Sequence, residues 1–222
     1  MMISQRLRQL RLARGLSLEE LSEAMGGVVT KQALSKYENG KSHPSAKVLN
    51  KLASALGVKA AYLCSEPSIR VELMAYRKRA RLPKREQSHL ESLIRQCLED
   101  RVWLQEQIGQ TKEVKLPVQS LSVCSLEDTE IQAIKLRQMW NLGLEPIGNI
   151  IALLEDRLVH VMETDAGEDF DGLSAVAYSG NRLAAAAVIT SKNVPGERQR
   201  LNVAHELGHL VLRIRQGLDE EK

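Results

Sequence analysis

Apolar and polar positions follow a helical period over the first 65 residues, in five short blocks. Apolar residues recur at intervals of three and four over 3–13. Ser17 and Glu20 then have the spacing of a capping box, which begins a second helix. Caps and glycines set the remaining boundaries, and the predicted helices are 3–13, 18–25, 31–38, 46–56 and 60–63.

A longer helix is predicted over 84–109, where apolar residues recur at intervals of four, three, seven and four. They are Leu90, Ile94, Cys97, Leu104 and Ile108. Two interpretations of this stripe stay open: it pairs two chains as a short coiled coil, or it packs against the C-terminal part of its own chain. The charged Arg101 interrupts the stripe and favours the second interpretation. Residues 67–124 are therefore predicted to form a helical connector.

Beyond residue 125 the pattern changes between helical and strand periods. Helices are predicted over 126–142, 146–157 and 198–214, and strands over 158–162, 173–178 and 184–190, with a hairpin turn at 179–182. Helices, a small sheet and a last helix in this order are typical of an α+β domain. The sequence thus predicts two domains: an all-α, five-helix domain over 1–66 and an α+β domain over 125–222.

Charge is distributed unevenly between these domains. The chain has a net charge of +3, but residues 1–65 contain ten Lys or Arg and only four Asp or Glu. A basic segment of this kind is typical of a module that binds a polyanion. Three cysteines without a CxxC pair argue against a disulfide scaffold, and no apolar run approaches the ~20 residues of a membrane helix. We therefore expect a cytoplasmic protein without a membrane partner.

Helix 31–38 is predicted to present a polar and basic outer face, because Leu34 and Tyr37 take its inward positions. The outward side chains of this helix and of the turn after it are Lys31, Gln32, Ser35, Lys36, Asn39 and Lys41. Gln pairs with adenine and Lys donates to guanine in the major groove, while groups at a helix end can meet phosphate. The pattern favours a DNA-binding helix-turn-helix over a protein-interaction domain with a solvated polar face.

Several spaced motifs resemble the DNA-binding domain of Cro and the phage repressors, which is called the XRE type. They lie in order within residues 3–64, at 6–11, 15–21, 32–41, Pro44 and 52–58. The resemblance implies a lambda-repressor-like fold whose recognition helix, 31–38, enters the major groove of a double-stranded DNA operator. It also implies two copies on a near-palindromic operator, and hence a homodimer.

The last predicted helix contains an HExxH motif, formed by His205, Glu206 and His209. The spacing of four residues places both imidazoles on one helix face, where they can bind one zinc ion. Glu206 is offset by one residue, so its carboxylate can act as general base on a water that the zinc activates. Gly208 is unfavourable in the middle of a helix, and we expect something to pack closely there. Two histidines that only solvate the helix are the disfavoured alternative.

A catalytic zinc site needs a third protein ligand and one open position. Glu220 and Glu221 follow the motif helix and are the nearest candidates, with Glu221 preferred. His160 is the remaining candidate, although as a strand residue it is predicted to be solvated.

The region from Trp140 onward resembles the ImmA/IrrE family of bacterial zinc metallopeptidases. The residues that carry the resemblance lie at 140–147, 153–157, 171–174 and, above all, 198–212. It implies a zincin-like domain that cleaves repressor-like proteins, with His205 and His209 as zinc ligands, Glu206 as general base and Glu220 or Glu221 as third ligand. Relatives continue into a further helix, so the domain is expected to be incomplete at its C-terminus.

Together these patterns predict an XRE-type transcriptional regulator with an ImmA/IrrE-like zinc endopeptidase domain. The alternative is a non-catalytic repressor whose shortened C-terminal domain serves sensing or dimerisation. A third hypothesis is an antitoxin-type protein that binds a heterologous partner.

Overall fold

The computed structural model describes residues 2–74, 83–109, 114–165, 170 and 172–215. The chain divides into two compact units. The first unit consists of residues 1–70 and 81–110, and the second of residues 71–80 and 111–222. Among the described helices, none is long and apolar enough to cross a membrane.

Five short helices build most of the first unit, as the sequence predicts. They are α1 (Met2–Ala13), α2 (Leu18–Ala24), α3 (Lys31–Glu38), α4 (Ala46–Ala55) and α5 (Ala60–Leu63). The predicted caps are present: the Ser17 side chain accepts from the backbone of Glu20, and Thr30 and Ser45 cap α3 and α4 in the same way. Fully buried leucines fill the space between the helices: Leu7, Leu10, Leu21, Leu34, Leu52, Leu56 and Leu63.

The next helix, α6, follows strand β1 (Arg70–Leu73), spans Lys84–Gln107 and packs against α1 of the first unit. The apolar stripe with its arginine break favoured packing of this helix against the C-terminal domain, and that prediction is wrong. The buried row steps four residues at a time: Leu90, Ile94, Leu98 and Val102. Such i±4 rows form the ridges by which helices of globular domains interdigitate. The predicted stripe followed a shorter period, and its last members, Leu104 and Ile108, are 48% and 60% exposed.

A buried carboxylate fastens α6 to the rest of the first unit. Glu99 accepts hydrogen bonds from both terminal nitrogens of Arg6, which is itself 1% exposed, and from the Tyr62 hydroxyl at 3.2 Å. The backbone N–H of Ser68 donates to the same carboxylate at 3.1 Å. Burial alone raises the pKa of Glu99, but the bonds from Arg6 and Ser68 outweigh it and hold the pKa below its usual value.

The second unit is built on a small mixed sheet. The remaining strands are β2 (Leu121–Val123), β3 (Val159–Thr164), β4 (Gly172–Ser179), β5 (Arg182–Ser191) and β6 (Leu212–Ile214). The four-stranded sheet has the order β1-β4-β5-β3, with β4 antiparallel and β3 parallel to β5. The predicted hairpin is confirmed, since Ser179 pairs with Arg182 and Gly180 has a φ of +60° in the turn between them.

Three helices complete the described part of the second unit: α7 (Leu126–Met139), α8 (Ile150–Glu155) and α9 (Gly196–Val211). α9 packs against β4 and β5, where Val203 and Leu210 join the buried core with Val176, Ala186 and Val188. The predicted last helix ends three residues early, because the chain after Val211 forms β6 and pairs in parallel with β2. Helices followed by a sheet and another helix agree with the predicted α+β order.

Replacement of Glu99 by Gln should destabilise the first unit by about 3–5 kcal/mol, because the buried Arg6 charge loses its counter-ion. The pKa of Glu99 is depressed in the folded state, so its contribution is present near neutral pH and lost as the pH falls through the lowered pKa. Glu99→Gln should therefore also flatten the acid side of the stability profile. Urea unfolding followed by Trp103 fluorescence, in a Trp140→Phe background, measures both effects.

Two controls accompany this measurement. Arg85→Ala breaks the exposed contact between Arg85 and Glu20, and it should leave the unfolding midpoint nearly unchanged. The double variant Arg6→Met/Glu99→Leu removes both charges and should recover much of the lost stability. An unchanged midpoint in Glu99→Gln would contradict the assigned role of the ion pair.

Candidate nucleic-acid interface and metal centre

Helix α3 turns a polar and basic face to solvent. Leu34 is fully buried and Tyr37 is half-buried, as predicted. The predicted contact residues lie on the opposite side: Lys31, Gln32, Lys36, Asn39 and Lys41 are exposed and Ser35 is half-buried. The structure therefore brings all six together on one surface that covers α3 and the turn after it.

Contacts within the domain hold parts of this surface in place. The Asn39 amide donates to the backbone oxygen of Ser35 at 2.7 Å, which fixes the turn after α3. Lys31 lies 2.5 Å from the Glu19 carboxylate of α2, and both side chains are at least half exposed. Gln32, Lys36 and Lys41 thus offer the exposed polar groups that an incoming ligand meets first.

A second buried arginine positions α3, and the sequence analysis did not identify it. Arg11 of α1 donates through two nitrogens to both oxygens of Glu38, at 2.6 and 2.8 Å, and its third nitrogen donates to the backbone oxygen of Leu16. Because the pair is bidentate and nearly buried, it fixes the last turn of α3 on α1. The sequence did contain one indication of this buried pair: Arg11 lies on the inward side of the first apolar stripe.

The HExxH motif lies on α9, where the predicted geometry is present. The Nε2 atoms of His205 and His209 lie 3.0 Å apart, and a carboxylate oxygen of Glu206 belongs to the same group of ligand atoms, which all lie within 4.8 Å of one another. His205 is exposed and His209 is half-buried, whereas Glu206 is only 1% exposed. Two nitrogens that each lie about 2.1 Å from one zinc ion are at most about 4.2 Å apart, so the spacing fits joint ligation.

Glu206 is buried against the first residue of β4. A Cβ atom placed on Gly172 would lie 2.8 Å from Glu206 Cγ and 2.9 Å from its Oε1, closer than real Cβ contacts. Glycine at this strand position therefore leaves the space that the carboxylate fills. Gly208 has no such neighbour, since its nearest contact would be Leu212 Cδ1 at 3.8 Å. The expected close packing at Gly208 is wrong, and Gly172 is the tightly packed glycine.

The third metal ligand stays a prediction. Glu220 and Glu221 lie outside the described residues. His160 is 4% exposed in β3, and its Nδ1 lies 3.1 Å from the Glu155 carboxylate. The expectation of a solvated His160 is therefore wrong. Within the described part of the chain, His160 is not among the ligand atoms that gather around His205.

Comparison with known proteins identifies relatives of the N-terminal part of the chain. Residues 7–63 match the helix-turn-helix family. The SPbeta prophage-derived uncharacterized HTH-type transcriptional regulator YonR of Bacillus subtilis (strain 168) is 37% identical over 62 residues, which cover 28% of this chain and 56% of that relative. The chain thus spans about half the length of the relative that it matches. No solved structure matches the chain.

Gly172→Ala should destabilise the second unit by about 1–3 kcal/mol, because the added methyl group overlaps the Glu206 side chain. The cost should largely disappear in a Glu206→Ala background, where the overlapping atoms are gone. Urea unfolding monitored by Trp140 fluorescence, in a Trp103→Phe background, measures this coupling. Gly148→Ala is the matched control, because a Cβ there meets nothing within 4 Å. Equal costs for Gly172→Ala in both backgrounds would show that Glu206 does not occupy this space.

Proposed function

Because the N-terminal domain is a helix-turn-helix domain of the XRE type, we propose that the chain is a transcriptional regulator that binds double-stranded DNA through α3. The observation that carries the proposal is the single exposed surface formed by α3 and the turn that follows it. Its side chains combine amide groups with lysine ammonium groups, which is the chemistry that reads base edges and neutralises phosphates.

The residues of this surface have different roles in the proposal. Gln32 and Lys36 stand on α3 itself and read bases in the major groove. Lys41 and the backbone of Gly40 lie beyond the helix end and contact phosphate, which orients α3 without reading sequence. The bidentate pair of Arg11 and Glu38 keeps α3 fixed on α1 while it is in the groove. Two copies on a near-palindromic operator would place one α3 in each half-site.

Gln32→Ala should relax base preference at one position of the operator by about 1–3 kcal/mol, because the bidentate contact is lost. Lys41→Ala should instead weaken binding to all sequences alike and reduce the salt dependence by about one unit, because one phosphate contact is lost. Selection from random duplexes, followed by titration of the selected site at several salt concentrations, measures both effects.

Lys192→Ala is the matched control for the DNA experiment, since Lys192 is an exposed lysine of the second unit and its loss changes the net charge equally. It should leave the salt dependence unchanged. A selection that enriches no site would overturn the proposal that α3 reads sequence.

We propose further that the second unit is a zinc-dependent hydrolase of the HExxH type, which acts on peptide bonds of a repressor-like protein. The observation that supports it is the convergence of the two Nε2 atoms and the Glu206 carboxylate on α9. Two imidazoles and a neighbouring carboxylate are a donor set that suits zinc. The zincin-like fold and the third ligand, Glu220 or Glu221, are part of this proposal.

In the proposed reaction His205 and His209 would hold zinc, which as a Lewis acid would lower the pKa of a water molecule at the site. Glu206 would accept a proton from the water that adds to the peptide carbonyl carbon and pass it to the amine that leaves when the C–N bond breaks. Its carboxylate is held for this task between α9 and Gly172, where it cannot rotate away into solvent. The exposed His205 marks the side from which a substrate approaches.

His205→Ala should lose zinc, whereas Glu206→Gln should keep zinc and lose hydrolysis, because an amide cannot accept the proton. His160→Ala is the matched control, since it removes a buried histidine that lies outside the proposed ligand group, and it should keep zinc. Elemental mass spectrometry of the purified chain and cleavage of a labelled, unfolded protein are the two measurements. Equal zinc in wild type and His205→Ala would contradict the metal site.

The same experiment distinguishes the hydrolase from the alternative function, a non-catalytic repressor. A non-catalytic repressor whose second unit serves sensing or dimerisation would bind DNA but would cleave no substrate in any variant. Zinc without Glu206-dependent cleavage would favour that alternative.

A further inference from the structure

Strand β1 is an edge strand of the sheet against which α9, the helix of the proposed metal centre, packs. The sheet order β1-β4-β5-β3 leaves β4 with two neighbours, β5 on one side and β1 on the other. We propose that β1 occupies in cis the position at which an extended peptide substrate adds to β4, so that it masks the sheet edge along which a substrate would reach the HExxH centre. This inference rests on the proposed hydrolase function and adds its regulation.

Contacts of β4 connect this edge to the catalytic carboxylate. At one end of β4, Gly172 lies against Glu206. Two residues further on, the backbone oxygen of Ser174 accepts a hydrogen bond of 2.9 Å from the N–H of Met74, which directly follows β1. Two residues of a strand span only about 7 Å. The backbone that pairs with β4 at Ser174 is therefore two residues along the strand from the glycine against which Glu206 packs.

Only one position lets an added strand reach the centre in this way. Extended peptides bind proteins by donating and accepting main-chain hydrogen bonds at a free sheet edge. A peptide on the outer edge of β1 would lie two strand spacings, about 10 Å, from β4. The opposite edge of the sheet is β3, which is separated from β4 by β5. A substrate that adds directly to β4 must take the place of β1.

β1 is the shortest strand of this sheet. It has four residues, whereas β4 has eight and β5 has ten. Val71 is its single buried side chain, at 7% exposure, while Leu73 and Met74 are half-buried. By contrast, β4 and β5 pair over most of their lengths and bury their side chains in the core. β1 is thus the strand of this sheet that buries the fewest side chains.

The chain that enters β1 comes directly from the DNA-binding unit. Ser68, two residues before β1, donates its backbone N–H to the buried Glu99 carboxylate. The backbone between this anchored residue and β1 is thus only two residues long.

Met74→Pro tests the inference, because proline cannot donate the hydrogen bond to Ser174. The probe is a fluorescein-labelled synthetic peptide with the sequence of residues 68–74, added to the full chain in a Glu206→Gln background so that nothing is cleaved. In that background the Met74→Pro chain should bind the peptide at least ten-fold more tightly, measured by fluorescence anisotropy. Hydrogen exchange should show the added protection at residues 172–178. If the Met74→Pro/Glu206→Gln chain and the Glu206→Gln chain bind the peptide with equal affinity, the inference is overturned.

Met74→Ala is the matched control, because it shortens the same side chain and keeps the N–H. It should raise the affinity for the peptide much less than Met74→Pro does. Val71→Asn weakens the buried contact of β1 and should also raise the affinity for the peptide. An increase in both variants would show that the effect of Met74→Pro does not come from a local distortion by proline.

A second experiment uses chains with the native Glu206 and measures their cleavage of a labelled, unfolded protein. Met74→Pro should increase kcat/KM at least several-fold over wild type, with zinc content unchanged. A decrease would show that β1 is a platform for substrate and would overturn its masking role. Absence of cleavage in both chains would refute the hydrolase proposal, while the peptide-binding result would still decide whether β1 occupies the edge of β4.

Discussion

The structure of the first unit depends on the burial of one carboxylate. Glu99 accepts hydrogen bonds from α1, α5 and the segment after α5, and it brings α6 to them. A buried carboxylate without partners would be costly, so the helices must arrive in the one arrangement that supplies all of its donors. The hydrogen bonds to Glu99 therefore constrain the position of α6 on α1 together with its apolar ridge, and they also hold Ser68, where the chain leaves the helix-turn-helix domain.

A second constraint, the small size of side chains in the sheet, shapes the proposed metal centre. β5 contains the buried run Ala184–Ala187, and β4 begins with Gly172. Short side chains let α9 lie close to both strands, so that Glu206 fills the space above Gly172 and both histidines stay accessible from outside. A motif spaced along a helix supplies the correct residue types. Their separation into one buried carboxylate and two more accessible imidazoles comes from the sheet against which the helix packs.

The sequence predicted the features that local rules determine. Caps and helical periods located the five short helices α1 to α5 of the first unit, and the hairpin at Gly180 and the HExxH geometry on α9 followed from spacing alone. Features that depend on distant partners were missed. The burial of Arg6 and Arg11 requires Glu99 and Glu38, which are far away in sequence, and charged residues within an apolar stripe are ordinarily exposed. The buried face of α6 was misassigned for the same reason, since the ridge that packs is chosen by α1.

Two hydrogen bonds of different strength hold the ends of the segment that connects the units, one at Ser68 and one at Met74. The segment from Ser68 to Met74 reaches at most about 20–22 Å when fully extended. If its ends are drawn further apart, one of the two anchors must give way. Ser68 is bound to a carboxylate that is buried and charged, and that kind of hydrogen bond is about twice as strong as a neutral one. Met74 is held by a neutral backbone bond at a sheet edge and by partly buried side chains. The bond at Ser68 is therefore the stronger of the two, and in the proposed exchange the Met74 end of the segment is the end that moves.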